Sequence, residues 1–165
     1  MKINSEQEML GAGAQILSRV ASLAPVATGL ARSSSRCRAP EAPQKDIEHQ
    51  QATVIELIGD VGVGKTTLVR GIAKGLEIKE PITSPSFTIS KAYACPDGRT
   101  LIHYDFYRLN DPGLMAEDLE ENLKDENNIV IIEWSDSVKD ILPKNHIIIN
   151  IKYNDDGSRE LEEIK

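Results

Sequence analysis

The 165 residues amount to about one ordinary globular domain, and a composition of 40% hydrophobic and 27% charged residues is typical of a chain with an apolar core. The formal net charge of −7 excludes a protein whose whole surface attracts nucleic acid, so contact with RNA would need a local basic patch or a partner that supplies one. The two cysteines, Cys37 and Cys95, fit neither a disulfide framework nor a CxxC metal site, and we expect two free thiols.

The chain opens with a predicted helix. Ser5 and Glu8 have the spacing of a capping box, in which a hydroxyl begins the helix and a carboxylate returns to its first turn. Apolar residues then recur at helical spacing, so we predict that residues 1–23 contain an amphipathic helix that belongs to the domain. Arg19 interrupts its apolar stretch and acidic residues lie at its start, which argues against a membrane span or a leader peptide. The sequence therefore predicts a cytoplasmic protein that makes no membrane contact.

Residues 24–50 are rich in Ser, Pro and Arg and show no apolar periodicity, which predicts a flexible insertion. Four arginines and no acidic residue lie between Met9 and Pro40, a local inversion of charge in an acidic protein. Two interpretations stay open. The segment is either a solvated linker or an arm that touches RNA phosphates or an acidic partner.

Residues 51–165 are predicted to form the main domain, in which strands and helices alternate. Apolar or β-branched runs give the strands, helical spacing of apolar residues gives the helices, and Gly and Pro mark the turns. In chain order we predict a strand at 53–58, a helix at 65–75 closed by Gly75, an extended segment at 81–93, a returning hairpin strand at 100–107, a helix from 111 with Pro112 at its first position, strands at 129–132 and 146–151, and a final short strand after 154–157. This order predicts an α/β three-layer sandwich with a mixed, largely parallel central sheet.

The segment 59–66, Gly-Asp-Val-Gly-Val-Gly-Lys-Thr, matches the phosphate-loop pattern GxxxxGK[ST] between a predicted strand and a predicted helix. Its glycines allow backbone N–H groups to surround phosphate oxygens, and the helix directs its positive end at the same anion. Lys65 is expected to reach the β- and γ-phosphates of ATP, and the Thr66 hydroxyl to bind Mg²⁺. The predicted nucleotide-binding residues of this loop are Asp60, Val61, Gly62, Val63, Gly64, Lys65, Thr66 and Thr67. The fold is therefore predicted to be P-loop NTPase-like.

A phosphate loop needs an acid across the site, and two carboxylates directly follow apolar strand residues. Glu133 follows one predicted strand and Asp105 another, and ligands gather at the carboxyl ends of strands in open α/β sheets. We expect Glu133 to be the metal-side acid. Asp105 is expected to orient or deprotonate the attacking water, with His103 nearby on the same strand face. Arg108 either neutralises phosphate charge or forms a surface ion pair.

Four spaced motifs resemble the TsaE family, also called YjeE, the ATPase component of the bacterial tRNA threonylcarbamoyladenosine system. In order they are GDVGVGKTT, TSPSFT (83–88), HYDFYRL (103–109) and IIEW (131–134). The resemblance runs from about Thr53 to the C-terminus and implies a small α/β P-loop fold with slow ATP hydrolysis. It also implies partners, namely TsaD-like and TsaB-like subunits that modify the adenosine beside the tRNA anticodon. Contact of this chain with tRNA is then expected to be indirect.

The resemblance also implies roles for individual residues. Lys65 and Thr66 would bind phosphate and Mg²⁺, and Glu133 would be the second Mg²⁺ contact. Asp105 and the Ser86 hydroxyl resemble catalytic or switch-like elements. Lys65, Asp105 and Glu133 are therefore the predicted catalytic residues, and which carboxylate is the main one stays open.

Trp134 resembles the family's functional aromatic near the nucleotide, and on the other interpretation it is a partly buried core indole. Two features depart from the family. Ser86 stands where the family usually has Thr, and both residues carry a side-chain hydroxyl. Residues 24–50 stand where the family has a short connection between its first helix and its first strand.

Two other function classes stay open, a small-molecule or nucleotide kinase and an ATP-dependent binding switch. A small-molecule or nucleotide kinase shares the phosphate loop but usually adds an arginine-bearing lid and a helical insertion, for which this chain has no convincing room. A GTPase is disfavoured because no NKxD-type tetrad is present. An ATP-dependent binding switch with negligible turnover differs from the ATPase only in its output. The sequence favours a Mg²⁺-dependent P-loop ATPase.

Overall fold

The computed structural model describes residues 1–21 and 51–164. The elements are β1 (Lys2–Ile3), α1 (Glu6–Ala21), β2 (Thr53–Ile58), α2 (Lys65–Gly75), β3 (Ser90–Ala94), β4 (Thr100–Asp105), α3 (Leu114–Asn122), β5 (Asn128–Glu133), two 3₁₀ turns (Ser135–Ser137 and Lys139–Ile141), β6 (Ile147–Tyr153) and β7 (Arg159–Ile164). The predicted insertion at 24–50 lies outside the described residues, as does Cys37. Cys95 is a free, buried thiol, as predicted.

All seven strands form one mixed sheet in the order β1-β7-β6-β2-β5-β4-β3. The three central pairs, β6–β2, β2–β5 and β5–β4, are parallel, and the outer pairs are antiparallel. Every residue of β5 is buried, as the uninterrupted apolar run at 129–132 predicts for a central strand. The predicted α/β class and the mixed, largely parallel sheet are confirmed.

Helices cover both faces of the sheet. Side chains alternate along each strand, so Ile55 and Leu57 of β2 face one core whereas Val54 faces the other. The first core packs against α1 and α2, and the second packs against α3, for example at Leu119. The three-layer sandwich is therefore confirmed.

The capping box predicted at the start of α1 is formed. The Glu8 backbone N–H donates to the Ser5 hydroxyl over 3.1 Å, and the Glu8 carboxylate accepts from the Asn4 backbone N–H over 2.7 Å. The return hydrogen bond thus comes from the residue before Ser5, one position earlier than in the usual box. No helix in the part of the chain that the structure describes is long and apolar enough to cross a membrane.

Glycines set the distance between α1 and α2. A Cβ at Gly13 of α1 would lie 2.6 Å from the Leu68 carbonyl oxygen, and a Cβ at Gly71 of α2 would lie 2.4 Å from the Leu10 carbonyl oxygen. The two helix backbones are therefore in direct contact. Gly75 belongs to the same contact, because a Cβ there would lie 2.8 Å from a side-chain atom of α1.

The end of α2 at Gly75 is confirmed, but the reason predicted for it and the predicted start of the next helix need correction. Gly75 was predicted to close α2, but it is the last helical residue, and the left-handed backbone that ends the helix is found at Glu77 (φ 59°). Close packing on α1 therefore explains this glycine better than a helix stop does. The next helix begins at Leu114 rather than at Pro112, because Gly113 has a non-helical backbone (φ 47°, ψ −128°).

The first hairpin is confirmed, with shorter strands than predicted. Of the segment 81–93, only the part from Ser90 onward is strand, and residues 86–88 form a turn. The returning strand predicted at 100–107 ends at Asp105, and it pairs antiparallel with β3. The strand β1 was not predicted, because two residues are too few to show alternation; it pairs with β7.

Replacing Gly13 with alanine tests the contact between α1 and α2. Gly13→Ala is expected to lower the free energy of unfolding by about 1–3 kcal/mol or more, because the added methyl group meets the backbone of α2, which has no rotamer to change. Gly11→Ala is the matched control on the same helix. A Cβ at Gly11 has nothing within 4 Å, so this change should be neutral or stabilise by about 0.5–1 kcal/mol. Chemical denaturation followed by circular dichroism measures both, and equal effects would contradict the contact.

Candidate active site

The loop between β2 and α2 has a backbone that requires glycine. Gly62 (φ 80°) and Gly64 (φ 113°) lie in the left-handed region, and a Cβ at Gly59 would lie 2.4 Å from the Ile151 carbonyl oxygen on β6. Gly64 precedes α2 and supplies no side-chain cap. The N–H groups of the first turn of α2 are therefore available to an anion, as the phosphate-loop pattern predicts.

Lys65 is the first residue of α2, and its side chain is only 5% exposed. Its Nζ donates to the carbonyl oxygens of Gly59 (2.7 Å) and Asp60 (3.0 Å), and it lies 4.3 Å from the centroid of the Trp134 ring. None of the ion pairs between described residues includes Lys65. The ammonium is thus held by backbone carbonyls and an aromatic face.

The charge balance around Lys65 leaves room for an anion. Burial lowers the pKa of Lys65 below its usual value, and the more distant charges of Glu133, Asp105 and Asp60 oppose this effect only in part. A phosphate group would supply the negative charge that no side chain within ion-pair distance provides. The loop and its lysine therefore fit a polyphosphate ligand.

Thr66 and Glu133, the two predicted metal ligands, lie together. The Thr66 hydroxyl donates to Oε1 of Glu133 over 3.2 Å, and Glu133 is buried at the end of β5. Across residues 1–21 and 51–164 no cluster of three or more His, Cys, Asp or Glu side chains is arranged to hold a metal ion. A Mg²⁺ ion at Thr66 and Glu133 would therefore take its other ligands from phosphate oxygens and water, as Mg²⁺ commonly does.

His103 contacts Glu133 rather than Asp105. We predicted that His103 would lie near Asp105 on the same face of β4, and the register of β4 and β5 pairs His103 with Ile131, two residues before Glu133 on the neighbouring strand. Its Nε2 lies 2.9 Å from Oε1 of Glu133, and the imidazole is fully buried. The histidine therefore holds the carboxylate of Glu133 in place, a contact that the sequence did not predict.

Asp105, at the end of β4, accepts three hydrogen bonds. Oδ2 accepts from the hydroxyls of Ser84 (2.7 Å) and Ser86 (2.5 Å), and Oδ1 accepts from the Tyr107 backbone N–H (3.1 Å). Ser86 was predicted from the sequence and Ser84 was not, although the motif TSPSFT places the two serine hydroxyls two residues apart. In this arrangement the carboxylate is occupied by the two serines.

Trp134 and Tyr107 form an aromatic pair at the end of β5. Their ring centroids lie 5.0 Å apart, and Trp134 is half-buried with a left-handed backbone (φ 59°). The indole of Trp134 thus packs against the second core, and the ammonium of Lys65 lies over its ring. The guanidinium of Arg108 lies 4.8 Å from the Tyr107 ring, and Arg108 forms no ion pair with another described residue. Tyr107 was not predicted to belong to the site.

The remaining predicted loop residues occupy different environments. Val63 is buried in the core, and its N–H donates to the Asp60 carbonyl oxygen over 3.3 Å. Val61 is exposed at the tip of the loop, and Thr67 lies in the first turn of α2. Any contact of Val63 with a ligand would therefore come through the backbone, whereas the side chain of Val61 is accessible.

Two residues beside the loop were missed. The Tyr153 hydroxyl donates to the Gly62 carbonyl oxygen over 2.7 Å, and the side chain of Arg159 lies beside Gly64. A single tyrosine or arginine in a strand carries no pattern that marks it. Only the pairing of Tyr153 with Arg159 across the β6–β7 hairpin places both at the loop.

Comparison with known proteins agrees with this geometry. The family model described as threonylcarbamoyl adenosine biosynthesis protein TsaE matches residues 35–161. A protein from Nostoc sp. named tRNA threonylcarbamoyladenosine biosynthesis protein TsaE is 44% identical over 114 residues, which are 67% of this chain and 68% of that protein. A protein of the same name from Haemophilus influenzae is 38% identical over 112 residues, 66% of this chain and 68% of that protein. The crystal structure of YdiB from Bacillus subtilis superposes with a TM-score of 0.63 at 26% identity, over 98% of this chain and 80% of that chain.

Proposed function

The chain belongs to the TsaE family of threonylcarbamoyl adenosine biosynthesis proteins, and from this we propose that it is the P-loop ATPase that supports threonylcarbamoyl modification of tRNA adenosine beside the anticodon. The observation that carries the ATPase proposal is the buried ammonium of Lys65, which has backbone carbonyls and an aromatic ring as neighbours where a phosphate would supply charge. The proposed location of the protein is the cytoplasm, as the sequence predicts.

The proposed reaction is the attack of water on the γ-phosphate of ATP, which yields ADP and phosphate. Lys65 would exchange its contacts with Gly59 and Asp60 for phosphate oxygens, and the first turn of α2 would bind the same anion through its N–H groups. Thr66 and Glu133 would hold Mg²⁺, which neutralises phosphate charge when it is bound. The chain thus positions ATP and neutralises the charge of its phosphates, and no covalent intermediate with the protein is required.

Asp105 is the proposed residue that orients or deprotonates the attacking water. Its Oδ2 accepts hydrogen bonds from Ser84 and Ser86, so it would act on water only after these hydroxyls release it. Both serines precede β3 in a segment without regular secondary structure, so their hydroxyls are not fixed by strand pairing. This arrangement supports a switch-like step before hydrolysis.

The proposed partners are TsaD-like and TsaB-like subunits. They would make the contact with tRNA, because the net negative charge of this chain disfavours direct binding. Phe87 supports coupling to a partner, because its ring is fully exposed and it directly follows Ser86. A partner that covers Phe87 would lie against the segment that holds Asp105. Docking of a partner at Phe87 would therefore affect the hydrogen bonds that Ser84 and Ser86 donate to Asp105.

ATP hydrolysis by the purified chain, alone and together with a TsaD-like and TsaB-like pair and tRNA, tests the proposal. We expect the partners and tRNA to stimulate phosphate release, accompanied by repeated rounds of tRNA modification. An equal rate of hydrolysis with and without the partners would contradict the tRNA role. Transfer of phosphate to a small molecule would favour a kinase, and tight ATP binding with no turnover in the full mixture would favour a binding switch.

Replacing each carboxylate by its amide separates the two proposed roles. Glu133→Gln is expected to weaken Mg²⁺-dependent ATP binding by about tenfold or more, because a charged ligand is lost while the shape is kept. Asp105→Asn should leave Mg²⁺-dependent binding within about twofold and lower turnover by about 10²–10⁴-fold. Calorimetric titration with and without Mg²⁺, combined with phosphate release, measures both. If Asp105→Asn loses the Mg²⁺ dependence and Glu133→Gln keeps it, the two roles must be exchanged.

A further inference from the structure

Glu56 is a buried acid in the middle of β2, outside the phosphate loop. Its neighbours along the strand, Ile55 and Leu57, are apolar, and only 4% of Glu56 is exposed. Alternation along β2 places it on the same face as Val54, on the side of the second core. Burial of an ionised carboxylate costs free energy unless its oxygens are hydrogen-bonded, and an apolar side chain of similar volume would avoid this cost. Fold stability alone therefore does not account for an acid at this position.

Both oxygens of the Glu56 carboxylate have a partner. Oε1 accepts a hydrogen bond from the hydroxyl of Ser135, which is itself buried, and Oε2 lies 2.8 Å from Nε2 of His146. The other ring nitrogen of His146, Nδ1, donates to the Pro143 carbonyl oxygen over 2.5 Å, which fixes the orientation of the imidazole. The carboxylate thus joins β2 to the turn that follows β5 and to the segment that precedes β6.

Ser135 is the residue through which Glu56 reaches the candidate site. It directly follows Trp134 and begins the 3₁₀ turn Ser135–Ser137. Trp134 has a left-handed backbone (φ 59°), which is uncommon for a residue other than glycine and persists where the surrounding contacts impose it. The hydrogen bond from Ser135 to the buried carboxylate is such a contact.

The ring of Trp134 needs an anchor because it borders a cavity. The cavity has a volume of about 200 Å³, and its lining includes Glu56, Asp60 and Lys139. Packing therefore does not fix the indole on the side of the cavity. Nζ of Lys65 lies 4.3 Å from the ring centroid, so a shift of the turn would move the aromatic face away from the ammonium.

We propose that Glu56 is a positioning residue of the site, which holds the Trp134 ring over Lys65 through its hydrogen bond with Ser135. His146 holds the carboxylate at its other oxygen. No hydrogen bond between described residues joins Glu56 to Lys65, so the acid acts on the ammonium only through the turn. The proposal rests on the proposed function, because the position of the ammonium matters to ATP only if the loop binds its phosphates.

Fluorescence of the nucleotide-free protein tests the anchor, because Trp134 is the only tryptophan in the chain. Glu56→Leu and Ser135→Ala each remove the hydrogen bond, and we expect acrylamide to quench the tryptophan emission more strongly in both variants than in the wild type. Glu56→Gln keeps an oxygen that accepts from Ser135 and an amide that donates to a neutral His146. Its quenching should therefore match that of the wild type.

ATP affinity, measured by calorimetry in the presence of Mg²⁺, tests the effect on the site. Displacement of the ring from the ammonium should weaken ATP binding by about threefold to tenfold in Glu56→Leu and Ser135→Ala, and Glu56→Gln should stay within about twofold of the wild type. The double variant Glu56→Leu/Ser135→Ala should bind ATP no more weakly than either single variant, because both changes remove the same hydrogen bond.

Asn128→Ala is the matched control. Asn128 lies at the opposite end of β5 from Glu133, and its buried amide donates to the Asn122 carbonyl oxygen over 3.0 Å. The change removes a buried hydrogen bond from the same strand without touching the turn after it. Neither the quenching nor the ATP affinity should change.

Unchanged quenching in Ser135→Ala, or in a folded Glu56→Leu, would overturn the proposal, as would a loss in Glu56→Gln as large as that in Glu56→Leu. Equal changes in Asn128→Ala would indicate a general loosening of the fold and would also overturn it. Stronger quenching with unchanged ATP affinity would overturn the role in the site. Failure of the wild-type chain to bind ATP would refute the proposed phosphate site, whereas quenching of the nucleotide-free variants would still decide whether Glu56 holds Trp134.

Discussion

A buried ammonium without a carboxylate partner is the interaction around which the site is arranged. Loss of water penalises the charge of Lys65, and only two backbone carbonyls and the Trp134 ring lie close enough to compensate for it. The carboxylates nearby are engaged elsewhere, Glu133 with Thr66 and His103, and Asp105 with two serines. The loop therefore has a positive charge and a helix N-terminus that face the same space, an arrangement suited to a polyphosphate.

The sheet order and the helix packing keep these groups in place. The strands β5 and β4 bring the acids to one side of the loop, and the β6–β7 hairpin brings Tyr153 and Arg159 to the other. The helix that begins with Lys65 is held by backbone contact with α1 at Gly13 and Gly71. Because α2 is the helix that carries Lys65 and Thr66, the tight packing of α1 on α2 also positions the phosphate site. Stability and site geometry are thus linked through one helix.

Local patterns made part of the fold and of the candidate site predictable from the sequence. The strand before the phosphate loop and the helix that starts at Lys65 were predicted at their observed positions, because apolar periodicity and the glycine pattern act over a few residues. The position of Glu133 at the end of a central strand followed in the same way. Contacts between elements could not be predicted, because they depend on strand order and register. The contact of His103 with Glu133, the second serine on Asp105, and the place of Arg159 beside the loop all arise from pairings that leave no periodic trace.

The affinity of ATP for the Lys65→Ala variant, measured by calorimetry beside the wild type and Lys74→Ala, tests the central claim most directly. Lys74 lies exposed on the same helix and controls for the loss of a positive charge. If the buried ammonium binds phosphate, Lys65→Ala loses a charge-assisted contact of about 1.5–3 kcal/mol, roughly tenfold to a hundredfold in affinity, and Lys74→Ala stays close to the wild type. Equal ATP affinity in the wild type and Lys65→Ala would contradict the account.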